Sequence, residues 1–271
     1  MLMYSKKNYY DERGRLILAK DMRLTEAVKK KLSGFHIVDE SGRYANAQVE
    51  DIQQTNIPVN LHCFDNMLFD LPADIVNRVL LESRSEPWGL VIRALFHHID
   101  WIYTHSINVS LISLMIAIQL GYTQQELYEL ALGAMLHDVG KLLIPKSVIY
   151  KKDALTDQER ILIQQHCDLG MEMIAEYNIP KASRLVIQQH HERNDGSGYP
   201  FHLTETEIHP YAKIVITADV FDAASSFRPY RPSKDPDEVM RILKEPGTLF
   251  SQDLVSILES LTKKTHDRIR S

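Results

Sequence analysis

The stretch HHERNDGSGYP, residues 190–200, sets two adjacent histidines and a glutamate against a loop carrying two glycines, a tyrosine and a proline. Three side chains able to coordinate or titrate stand beside a segment that cannot stay helical. Related residue types recur elsewhere in the chain: His105, then HDVGK at 137–141, then His166, then Asp219 within IVITADVFDAA. Nitrogen and oxygen donors without a thiolate suit a borderline or hard ion such as iron or manganese, with zinc a weaker match. A lone buried histidine at 105 or 166 is ordinarily a hydrogen-bonded core residue. His190 and His191, about 100° apart on a helix, would by themselves fit a surface edge. The carboxylates alter that balance. Asp219 in its apolar run, and His137 with Asp138 after the apolar LALGAML, are costly to bury without a partner. A bound cation would partner all of them at once.

The elements that must position these residues are helices. After Ser85 and Pro87, apolar residues recur at helical spacing through Leu120, and Gly121 ends the run. TQQE at 123–126 and TDQE at 156–159 read as capping boxes. Segments 180–192, 207–226, 236–244 and 251–268 complete an all-helical body over residues 85–271. Residues 1–84 read as a small α+β domain with a packing, dimerisation or regulatory role. It has a turn-like DERG, a short strand at Leu16–Leu18, a helix from about Thr25 stopped by Gly34, another strand at 35–38 and a helix in PADIVNRVLLES. The predicted fold class is therefore mainly α.

Composition narrows the ligand. At 44% hydrophobic and 25% charged residues, the chain has the make-up of a soluble globular protein. A net charge of -5 offers no general attraction for a nucleic-acid polymer or an anionic membrane, so a phosphate ligand must be held locally. The apolar run INVSLISLMIAIQLG at 107–121 is interrupted by Asn108, Ser110, Ser113 and Gln119 and reads as a core helix. Two cysteines, Cys63 and Cys167, make no disulfide framework, which points to a reducing cytoplasm.

HDVGK together with HHERNDGSGYP resembles the HD-GYP family, the bacterial metal-dependent HD phosphohydrolases that cleave cyclic di-GMP. The likeness covers roughly residues 95–265 and includes HSINV from 105, LTDQERILIQQHCDLG from 155 and DVFDAASSFRPYR from 219. An HD pair alone specifies little, whereas the complete signature at this distance from it is specific. The resemblance implies an all-helical HD-type catalytic domain with two divalent ions, iron first and manganese or zinc next. His105, His137, Asp138 and Asp219 would hold one ion. Asp138, His166, His190 and His191 would hold the second, with Asp138 shared. Lys141 would face the charge developing on phosphate. Arg228, Arg231 and Tyr199 would meet the substrate, and Asp222, one turn after Asp219, would touch it or only cap its neighbours. Some members place a glutamate where this chain has Trp101, and that glutamate helps hold a third metal, so a two-metal site is expected here. His98, two turns before His105, reads as structural.

The implied reaction is hydrolysis of cyclic di-GMP to linear 5′-pGpG, and on to GMP, with cyclic GMP-AMP the alternative substrate. Two ions close together would activate water for in-line attack on phosphorus. The implied partners are a second copy of the chain and a diguanylate cyclase domain docking at the GYP loop. Two rivals from other classes stand beside this reading: a cyclic-dinucleotide-binding module without turnover, and an HD-type di-iron oxygenase.

Overall fold

A computed structural model of the chain describes residues 9–11, 16–18, 37–38, 61, 63–83, 85–98, 100–226, 233–245 and 249–269. At the N-terminal end, β1 (Tyr9–Asp11), β2 (Leu16–Leu18) and β3 (Ile37–Val38) form an antiparallel sheet in the order β2-β1-β3. Tyr9 faces Leu18 and Tyr10 faces Val38. The helix expected from Thr25 lies outside the described residues.

The remaining elements among the described residues are helices. In α1 (Asp70–Glu82), Pro72 sits in the first turn and Ala73, Val76, Val79 and Leu80 fall on one buried face. A turn from Ser85 to Trp88 leads into α2 (Gly89–His98), and α3 (Asp100–Gln119) follows. The apolar periodicity from Ser85 to Leu120 is thus two helices rather than one run. Gly89 opens the first of them because a Cβ there would meet the Ser83 carbonyl oxygen at 1.6 Å. Gly121, at φ +76°, ends α3 as a left-handed cap.

Both capping boxes form. Thr123 starts α4 (Gln124–Leu136) with Glu126, and Thr156 starts α6 (Asp157–Gln164) with Glu159. Between them lie a 3-10 turn (Val139–Leu143) and the short α5 (Lys146–Ile149). Then come α7 (His166–Met173), α8 (Lys181–Gln189), α9 (Pro210–Ser225), α10 (Pro236–Leu243) and α11 (Gln252–Ile269). Pro210 and Pro236 each occupy the first turn, behind the capping side chains of His209 and Asp235.

The centre is α3 packed on α4 and α9, with α8 laid across α4, α7 and α9. By length and composition α3 is apolar enough to cross a membrane. Here its sides are covered by neighbouring helices, and Ile112, Leu114, Ile116 and Ala117 are fully buried. One apolar cluster runs from Leu61 through Val76 and Val79 into Leu130, Val186 and Phe221. The helices on either side of the expected boundary at residue 84 therefore share a core. A smaller cluster, Ile208, Ala212 and Ile216 with Leu203 and Phe250, sits at the start of α9.

Candidate metal centre

Helix ends create this site. A helix that stops leaves its last carbonyls without amide partners, and three histidines placed at such ends use them. His137 caps α4 and its Nδ1–H donates to the Ala134 carbonyl at 2.7 Å. His166 follows α6 and donates to Ile163 at 2.7 Å. His190 caps α8 and donates to Ile187 at 2.9 Å. Buried in α3, His105 finds a carboxylate instead, donating from Nδ1 to Asp222 Oδ2 at 2.6 Å. With Nδ1 carrying the proton in each ring, every Nε2 presents a lone pair.

Those lone pairs converge on Asp138, which is fully buried at the start of the 3-10 turn. Its Oδ1 lies 3.5 Å from His166 Nε2 and 3.7 Å from His190 Nε2. Its Oδ2 lies 3.5 Å from His137 Nε2 and 3.8 Å from His105 Nε2. The donors divide into two sets: Asp138 with His166, His190 and His191, and Asp138 with His105 and His137, in each of which the offered atoms lie within 4.8 Å of one another. Asp219, reaching from α9, joins the second set with Oδ1 3.0 Å from His105 Nε2. The two sets bring six of the expected donors together with Asp138 common to both, and Asp219 lies against His105 beside the second.

The arrangement fits cations and is unfavourable without them. His166 Nε2 and His190 Nε2 face each other at 3.1 Å, lone pair to lone pair. His137 Nε2 and Asp138 Oδ1 are buried with no hydrogen bond. Burial, then the Lys141 charge, pushes the His166 imidazole down to about 3. Burial also lowers His190 and His191, so the rings are neutral and able to coordinate near neutrality. Burial alone would raise Asp138 and Asp219. At Asp138 the Lys141 charge opposes it, and both carboxylates are held below their ordinary range and stay ionised. Lys141 Nζ donates to Asp138 Oδ2 at 2.7 Å, one turn further along the 3-10 segment.

Two expectations change. Asp222, expected at the substrate or as a cap on its neighbours, is buried behind His105 among its neighbours. It accepts from His105 Nδ1, from Asn108 Nδ2 at 2.9 Å and from Ser226 Oγ at 2.9 Å, so it orients a donor. The helix expected to run to 192 ends at Gln189, so His190 is its cap and His191 lies beyond it. Their rings are 4.1 Å apart. Tyr199, expected at the substrate, stacks on His191 with ring centroids 4.7 Å apart, and its N–H donates to the His191 carbonyl at 3.2 Å. Arg228 and Arg231 lie outside the described residues, as does the side chain of His98.

The glutamate of the opening motif does not coordinate. Glu192 is fully buried and accepts from the N–H of Phe201 at 2.8 Å and of Leu203 at 3.0 Å, closing the loop into a ring. Gly198 passes so close to this anchor that a Cβ would lie 2.4 Å from Glu192 Cα. The helix stops after His190 so that this loop can fold back and lay Tyr199 on His191. Asn108 is the site residue that motif reading passed over; its signal was a polar side chain one turn after His105 on the same helix face.

The model of the HD domain family matches residues 89–250. A cyclic di-GMP phosphodiesterase of Thermotoga maritima is 35% identical over 171 residues, which cover 62% of this chain and 46% of that protein. The 3′3′-cGAMP-specific phosphodiesterase 3 of Vibrio cholerae is 33% identical over 141 residues, 52% of this chain and 31% of that protein. The chain thus spans less than half the length of these curated relatives. Among solved structures, an HDG"Y"P protein from Bdellovibrio bacteriovorus shares the fold, with a TM-score of 0.54 at 17% identity over 96% of this chain and 95% of that one. Matched by the family model over more than half its length, the chain belongs to the HD domain family.

Proposed function

We propose that this chain is a divalent-metal-dependent phosphodiesterase that hydrolyses cyclic di-GMP to linear 5′-pGpG. The observation that carries the reading is the sharing of Asp138 between two converging donor sets. A carboxylate with one oxygen toward each set is what a pair of neighbouring cations requires. Two ions per chain is the number this supports, with iron or manganese favoured by the nitrogen and oxygen donors. His105, His137, Asp138 and Asp219 would hold one, and Asp138, His166, His190 and His191 the other. Bound there, divalent ions supply water activation at neutral pH and charge neutralisation on the scissile phosphate.

The chain's own residues prepare that chemistry. Backbone carbonyls fix His137, His166 and His190 in the tautomer that keeps Nε2 open, and Asp222 does the same for His105. Lys141 holds a positive charge against Asp138 at the mouth of the cluster, where it can meet an anionic phosphate. The Glu192 anchor keeps Tyr199 on His191 and walls one side of the cluster. A cytoplasmic setting, a homodimer and a cyclase domain docking at the 196–200 loop belong to the same proposal.

Purified protein loaded with iron or manganese, incubated with cyclic di-GMP or with 3′3′-cGAMP, tests it by chromatography of the products. The expected result is 5′-pGpG, suppressed by chelator and by Asp138→Asn, which removes both ions by elemental analysis. His166→Ala should lower only the occupancy of its own set. Absence of linear product from fully loaded protein would overturn the hydrolase reading, and dinucleotide binding under those conditions would leave a binding module in its place.

A further inference from the structure

A neutral imidazole carries one N–H, and two carboxylates stand ready to accept it from His105. Nδ1 lies 2.6 Å from Asp222 Oδ2, and Nε2 lies 3.0 Å from Asp219 Oδ1. With the proton on Nδ1, the Nε2 lone pair is left on the side of Asp138 and Asp219. With the proton on Nε2, the ring would donate to Asp219 and close its coordinating side. Which tautomer forms depends on how squarely Asp222 faces Nδ1. The χ2 torsion of an aspartate is broad, so its carboxylate plane turns unless something holds it.

Asn108 holds it. The residue lies in α3 one turn after His105 and is buried between Ile107 and Val109, where an amide is costly unless it is hydrogen-bonded. Its Nδ2 donates to Asp222 Oδ1 at 2.9 Å. Ser226 Oγ, at the end of α9, donates to the same oxygen at 2.9 Å. With Oδ1 held from two sides, Oδ2 is aimed at His105. Because His105 and Asn108 share one helix face, α3 by itself grips both oxygens of Asp222.

We propose that Asn108 is a positioning residue of the metal centre: by fixing the plane of Asp222 it keeps the His105 proton on Nδ1 and the Nε2 lone pair open to a cation, a role that rests on the metal-dependent reading above. Asn108→Leu keeps the volume and removes the donor, and Asn108→Ser withdraws the donor while staying polar. Both are compared with the native chain, each also in an Asp222→Ala background. The measurements are manganese binding to the chelated protein, melting temperature, and NMR of the imidazole nitrogens, with His105 assigned by its loss in His105→Gln. The expected result is a proton population on His105 Nε2 in the metal-free variants and a manganese affinity lowered about three- to tenfold, the share of one hydrogen bond. In the Asp222→Ala background the further loss should stay within about twofold, because Asn108 acts through that carboxylate. A native tautomer and native affinity in both variants overturns the proposal. So does an equal loss in both backgrounds, or a failure of both variants to fold, either of which would make Asn108 a residue of the core alone. None of these measurements uses the dinucleotide. Absence of 5′-pGpG from protein that binds manganese would therefore sink the hydrolase reading and leave the role of Asn108 decided by tautomer and affinity, whereas a native chain that takes up no manganese overturns both.

Discussion

His105 stands between two carboxylates, with Nδ1 2.6 Å from Asp222 and Nε2 3.0 Å from Asp219. One partner sets the tautomer and the other shares the coordinating side. Asp222→Ala should therefore act through His105. Losing such an outer partner typically weakens metal affinity about 10- to 100-fold. Titration of the metal-free variant with manganese should show that loss, while KM for the dinucleotide stays near native once metal saturates. A raised KM with native metal affinity would return Asp222 to the substrate.

Acid should destabilise the metal-free protein from the histidine range downward. His166 protonates at about 3 in the fold against 6.5 ordinarily, and burial lowers His190 and His191 as well. As pH falls, the unfolded chain takes up these protons first. The stability tied to the neutral rings is complete above 6.5 and is lost as pH drops from there toward 3. Asp138 and Asp219, held below 3.8, add a further loss only under stronger acid. The melting temperature of chelated protein should thus fall steadily from about pH 7 to about pH 4.5. A flat profile across that range would contradict the burial of neutral rings.

Gly140, the glycine of HDVGK, should tolerate no side chain. A Cβ there would meet the His166 carbonyl oxygen at 1.9 Å and the Gly170 nitrogen at 2.6 Å. Backbone cannot give way as a flexible side chain does, so Gly140→Ala must push the 3-10 turn off α7 and spread the donors on either side. Overpacking of this kind costs about 1–3 kcal/mol or more, and occupancy of the set containing His166 should fall with it. Gly121 is the control: at φ +76° a Cβ would meet nothing within 4 Å, so Gly121→Ala faces backbone strain alone. It should cost about 1 kcal/mol and leave metal binding native. Chemical denaturation and elemental analysis of both variants separate the two effects.

The contrast between those glycines shows what the chain's letters disclose. Gly121 is legible because a helix end writes a local signal, and both Thr–Glu capping boxes are legible for the same reason. Asp219 and the His137–Asp138 pair were legible because such groups in or after apolar runs demand a partner, and the rest of the donor set came from the motif resemblance. Gly140 was not, because its reason is a backbone two elements away at His166 and Gly170. Asp222 was left between two roles for a related cause: one turn after Asp219 on α9, it shares a face with a donor, and only the position of α3 shows that it meets His105 from behind. Glu192 stands beside two histidines as a side chain able to coordinate or titrate, and its carboxylate turns to the amides of a loop that comes back nine and eleven residues later. Local signals survive in a sequence; contacts between distant segments do not.

Trp101 tests the number of ions. It lies one helical turn before His105 on α3, with ring centroids 6.4 Å apart, and it packs against the apolar core. The HD-GYP resemblance puts a metal-holding glutamate at this position in some members, and an indole offers no lone pair in its place. The native protein should therefore saturate at two metals per chain and accumulate 5′-pGpG. Trp101→Glu places a carboxylate on the face that carries His105, where it can draw a third cation and speed conversion of 5′-pGpG to GMP. Replacing a packed tryptophan costs about 3–5 kcal/mol, so Trp101→Gln, equally small and without the charge, is the stability control. Elemental analysis and the ratio of 5′-pGpG to GMP decide between them. Three metals in the native protein, or equal metal counts and product ratios in the Glu and Gln variants, would show that Trp101 does not set the nuclearity.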